Sequence, residues 1–167
     1  MGNKHPNWHP RDYNTIEELN AELDRIEAAH QAGTLQTRGN WSTGQIFDHC
    51  SRPIKMAFDG FFDEQENQVH MPFLARVFGV LVFKNLLGRS HMKPGIKLPA
   101  NASSMLPPDD CSFEQGLEAL RTQHARLENG ERMTMRSPFL GKMRHEQWIL
   151  MHLDHCRMHF GFIQVND

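Results

Sequence analysis

Near its C-terminal end the chain reads Trp148-Ile-Leu-Met-His152-Leu-Asp-His155-Cys-Arg-Met-His159-Phe160. Trp148, His152, His155 and His159 recur at intervals of four, three and four, which places them on one stripe of a helix. A stripe that begins with tryptophan is expected to face inward. Imidazoles buried there without partners would be costly, and a shared metal ion removes that cost. The pattern therefore predicts a helical domain organised around a metal site.

Helix geometry limits which rings can act together. Seven residues rise about 10.5 Å, so His152 and His159 cannot both reach one ion at the roughly 2.1 Å a metal such as zinc requires. His152 with His155, or His155 with His159, remains as the ligand pair, and His155 belongs to both. The i,i+4 pair has the better-known geometry in helical metal motifs and would leave His152 lining the pocket or supporting the ligands. A third imidazole, His49, comes from Trp41-Ser-Thr-Gly-Gln-Ile-Phe-Asp-His49 on another predicted helix.

The bulk properties fit this picture. A chain of 167 residues suffices for a single domain over 1–167 with a substantial core. The net charge of −2 supplies no field for nucleic acid, and the trio Arg89, Lys93 and Lys97 is too sparse for a basic patch. Cys50, Cys111 and Cys156 are odd in number and lack a Cys-x-x-Cys pair, which argues against a disulfide framework or zinc knuckle. With no apolar signal core at the N-terminus, the expected location is the cytoplasm. The most apolar run, Met71–Leu87, is interrupted by Arg76 and Lys84 and is short for a membrane span, so it reads as a buried bundle helix and no membrane association is expected.

Five helical segments are predicted. The first follows an Asn14 or Thr15 cap, buries Ile16, Leu19, Leu23 and Ile26, and ends before Gly33. The second opens on the capping box Ser42-Thr-Gly-Gln45 and turns Ile46, His49, Met56 and Phe58 inward. Pro53 removes one of its hydrogen bonds, a turn beyond His49, and predicts a kink. The third runs from about Phe73 to Leu87 and stops at Gly88. A long irregular connection, Arg89–Asp110, follows with four prolines, and is either a lid or a surface crossover. Ser112-Phe-Glu-Gln115 opens the fourth helix through Leu117, Leu120 and Leu127, and the last starts near Arg144 or His145 and continues to about Val165.

Trp41-Ser-Thr-Gly-Gln-Ile-Phe-Asp-His49, followed about a hundred residues later by Trp148 and His155-x-x-x-His159, resembles the DinB-like superfamily, which includes the YfiT-type and bacillithiol-transferase proteins. The likeness extends over Ile16–Ile26, Gly39-Asn40-Trp41, Phe113–Leu127 and Ser137-Pro-Phe-Leu-Gly141, and is closer still to a branch of that group known only as a domain of unknown function. It implies an all-α, up-down-down-up four-helix bundle, here with an additional short helix and a long connecting loop. It also implies a divalent metal held by His49, His155 and His159, with zinc or nickel favoured and iron compatible. The resemblance further implies a homodimer, because related bundles often pair through helix faces. Two features depart from the family pattern: Cys50 and Cys156 each follow a ligand where apolar residues are usual, and Pro53 interrupts a usually continuous helix. The cysteines are expected to pack as small apolar side chains.

Three neutral imidazoles leave coordination positions open, as catalytic sites do. The resemblance implies a transferase joining a small-molecule thiol to an electrophile. The alternatives are a non-catalytic metal-binding or stress-related bundle, and an interaction bundle without metal. Asp48, Asp154, Glu146 and Asp59 are the acids able to orient a ring or serve as bases. Asp48 and Asp154 directly precede ligands, so these two, and Arg157, are expected on the solvated surface.

Overall fold

The computed structural model describes residues 8–9, 11–62, 73–88, 92–95 and 100–165. Most of these residues are helical. Helix α1 spans Ile16–Gln31, α2 Thr43–Asp59, α3 Phe73–Phe78, α4 Lys84–Leu86, α5 Phe113–Glu128 and α6 His145–Phe160. A π-helical turn, Gly79–Phe83, joins α3 to α4, and a 3₁₀ turn covers Ala100–Met105. Of the foreseen Arg89–Asp110 connection, 89–91 and 96–99 lie outside the described residues, taking with them Arg89, Lys97 and Pro99.

The caps lie where local chemistry puts them. Thr15 accepts a hydrogen bond from the Glu18 N–H at the start of α1. Ser42–Gln45 and Ser112–Gln115 form reciprocal capping boxes that satisfy N–H groups the first turn leaves without partners. Helix α2 runs through Pro53, with Ile46, Phe47, His49, Cys50, Ile54, Ala57 and Phe58 buried. Helices α2 and α5 meet at Gly44 and Gly116, where a Cβ on Gly116 would collide with the Gly44 carbonyl and one on Gly44 with the Ser112 carbonyl.

Two apolar clusters fill the interior. One gathers Leu19, Leu23 and Ile26 of α1, Ile46 and Phe47 of α2, Leu117 and Leu120 of α5, and Leu153 and Phe160 of α6. The other surrounds Trp148, with Ile54, Phe58, Phe61, Met133, Leu140 and Met143.

Two sequence expectations are corrected here. The last helix stops at Phe160, and Ile163–Val165 forms a strand, β2, that pairs antiparallel with Leu35–Thr37, β1. The apolar run from Phe73 onward does not make a buried bundle helix: Phe73, Leu74 and Leu81 are exposed.

Candidate metal centre

Helices α2 and α6 bring His49, His155 and His159 together, with one potential ligand nitrogen from each ring lying within 4.8 Å of the other two. Ring centroids are 4.9 Å apart for His49 and His155, 4.5 Å for His49 and His159, and 4.6 Å for His155 and His159. Nitrogens about 2.1 Å from a shared tetrahedral ion stand about 3.4 Å apart, so small side-chain rotations bring these rings into range. Helical spacing explains the choice of pair. His155 and His159 lie on adjacent turns facing α2, while His152, on the same stripe but two turns from His159, meets His124 of α5 instead.

Each ring is prepared differently. His49 is buried, and its Nδ1–H donates to the Met105 carbonyl at 2.6 Å. That bond fixes the tautomer, leaving the Nε2 lone pair free, which is the usual role of a backbone acceptor behind a metal-binding histidine. The Nδ1 of His155 is buried without a hydrogen-bond partner among the described residues. A buried imidazole nitrogen without a hydrogen-bond partner, beside two further imidazoles, has the chemistry of a metal ligand, so the residues present fit a divalent ion. Trp41 stacks on His159 at 5.5 Å and tilts against His49 at 4.7 Å, restricting both rings.

The electrostatics favour neutral ligands. Burial lowers the pKa of His49. It pushes His155 well below the ordinary imidazole range, with help from His159, His49 and His152, and does the same to His159 with help from His49. All three keep lone pairs available at neutral pH.

His152 turns away from this cluster. It is buried, and its Nε2 lies 2.9 Å from the Nε2 of His124, whose Nδ1–H donates to the Asn20 side chain. The Cys156 sulfur lies 3.7 Å from the His152 Nε2. Cys156 also hydrogen-bonds Cys50, and both thiols are fully buried. Burial opposes ionisation of Cys156, but the hydrogen bond from Cys50 together with His152 and Arg157 draws its pKa down to about 6. Burial pushes Cys50 well up instead. The sequence gives no signal for the His124–His152 contact, because His124 lies on α5 outside any shared periodicity.

The four candidate acids are all engaged elsewhere. Asp48 pairs with Arg52, Asp59 with Lys55 and Arg126, and Glu146 with Arg132. Asp154 and Arg157 are buried rather than solvated. Their side chains pair at 2.6 Å, Asp154 accepts from the Gly88 N–H at 2.9 Å, and Arg157 donates to the Tyr13 carbonyl. This network anchors the middle of α6 to the segment before α1 and to the end of α4. The orienting group behind His49 is thus a backbone carbonyl, which sequence reading alone cannot nominate.

Residues 9–166 match the model of one protein family, described as "Protein of unknown function (DUF1569)". The chain belongs to the DUF1569 family. No curated protein and no solved structure matches it. In this DUF1569 member the matched region contains the whole histidine cluster, and among the described residues no helix is long and apolar enough to cross a membrane.

Proposed function

We propose that this DUF1569 protein is a DinB-like four-helix bundle that uses a divalent ion at His49, His155 and His159 to activate a small-molecule thiol for transfer to an electrophile. The observation that carries the reading is the pairing of a preset His49 tautomer with the unpartnered Nδ1 of His155, in a cluster of three neutral imidazoles. An ion bound there supplies Lewis acidity that lowers the pKa of a thiol and holds it as thiolate.

The chain's own groups account for the rest. His49 is held by Met105, so its lone pair is already directed and little reorganisation accompanies loading. Trp41 covers one side of the cluster, and His155 and His159 are half-buried beside it. No carboxylate hydrogen-bonds the three rings among the described residues, so the histidines serve as ligands and the thiol proton passes to solvent. The carbon–sulfur bond forms as the bond from carbon to the leaving group breaks. Three imidazoles suit zinc, nickel, iron or copper, and zinc or nickel is the ion proposed here.

The test is to load purified protein with zinc or nickel and assay a panel of low-molecular-weight thiols against a generic electrophile. Metal-dependent thioether formation is expected, and it should be lost in His155→Ala. A non-catalytic role is the second reading, favoured by the fact that the cluster joins α2 to α6. In that case the bound metal admits no exchangeable thiol, and metal changes stability alone.

A further inference from the structure

The helical stretch from α3 through α4 presents apolar side chains outward on a chain that otherwise buries them. Phe73 is 76% exposed, Leu74 79% and Leu81 65%, with Val77 and Val80 also exposed. Positions 74, 77 and 81, and likewise 73, 77 and 80, follow helical spacing, so these residues form one face. The opposite side is tied down. A Cβ on Gly79 would strike the Phe139 carbonyl, Lys84 donates to the Lys142 carbonyl, and the Gly88 N–H donates to buried Asp154. The apolar face is therefore held outward by contacts on the helix's other side.

Charge identifies what covers it. Between residues 67 and 108 the chain has none of its 20 aspartates and glutamates, yet carries Arg76, Lys84, Arg89, Lys93 and Lys97. A net charge of −2 for the whole protein thus hides a stretch of cationic sequence that begins within the exposed apolar helix and continues past its end. An outward apolar face that carries the exposed Arg76, in a stretch of sequence with lysines and arginines and no acid, matches a surface that offers hydrocarbon beneath an anionic layer. A second copy of the chain fits less well, because a twofold contact would set this acid-free segment against itself.

We infer that the Phe73–Leu86 helix docks the protein on the surface of an anionic lipid bilayer, with Phe73, Leu74, Val77 and Leu81 entering the headgroup boundary. The sequence argues against a spanning helix, and surface docking needs none.

Co-sedimentation of the full chain with vesicles tests this, comparing phosphatidylcholine alone with phosphatidylcholine containing phosphatidylglycerol. Binding to the anionic vesicles is expected, weakened about tenfold or more by a several-fold rise in salt. Leu74→Asp/Leu81→Asp and, separately, Arg76→Glu/Lys93→Glu should each lose that binding while keeping the wild-type circular dichroism and metal uptake. Absence of binding to anionic vesicles overturns the inference, as does equal binding to neutral ones. It is also overturned by a stable dimer in solution that Leu74→Asp/Leu81→Asp dissociates, since a second copy then covers the face.

Discussion

His155 and His152 sit three residues apart on one helix and meet different fates, and the contrast tests the site at the scale of single residues. His155 has a buried nitrogen without a partner, whereas His152 exchanges a hydrogen bond with His124. His155→Ala should abolish one-to-one metal binding, and His152→Ala should leave the stoichiometry intact. Equilibrium dialysis with zinc, read by elemental analysis, distinguishes them, and retained metal in His155→Ala would remove the proposed ligand set. Buried rings also set the response to acid. His49, His124, His155 and His159 all have pKa values lowered in the folded protein, chiefly by burial. Above the ordinary value of about 6.5 they are neutral whether folded or unfolded. Below it the unfolded chain takes up protons that the folded chain refuses, so stability is present above that pH and is lost as pH falls toward the folded values. Melting temperatures of metal-stripped protein should be nearly level above neutrality with respect to these groups and drop on acidification through pH 6. A melting temperature that holds or rises on that descent would contradict the burial of neutral imidazoles.

Helix–helix contact is where individual elements can be challenged. Gly44 and Gly116 let the N-terminal turns of α2 and α5 touch backbone to backbone. Gly116→Ala should destabilise by about 1–3 kcal/mol, because its methyl meets a carbonyl rather than a yielding side chain. Urea unfolding measures it, and a neutral or stabilising result would mean that the crossing is looser than described. Much of this level is legible in the sequence. The capping boxes at Ser42 and Ser112 and the stripe Leu19, Leu23 and Ile26 are local signals, and the elements start where those signals say. The π-helical turn and the small sheet are not legible. Leu35–Thr37 and Ile163–Val165 are too short to show alternation, and their pairing is decided by where α1 and α6 happen to end. Apolar composition alone misplaced the Phe73 helix, because it carries no information on whether a partner surface exists. At the site, the spacing of His155 and His159 and the Trp41–His49 segment were readable. The Met105 carbonyl and the burial of Asp154 with Arg157 depend on contacts distant in sequence.

For the molecule as a whole, the histidine cluster is a tie between α2 and α6, adding to the packing of α2 against α5. A ligand that binds only the folded chain stabilises it by mass action, about 2.7 kcal/mol at a hundred times its dissociation constant. Removing metal by chelation should then lower the melting temperature by on the order of 5–10 °C for a chain of this size, with recovery on adding metal back. An unchanged melting temperature would show that the ion is not coupled to the fold. The most direct test of the account is the X-ray absorption spectrum of the zinc-loaded protein. Three nitrogen scatterers at about 2.0–2.1 Å, with the multiple scattering of imidazole rings and a light atom in a remaining position, are predicted for His49, His155 and His159. A sulfur scatterer near 2.3 Å, which would draw in Cys50 or Cys156, or a shell of oxygens alone, would contradict it.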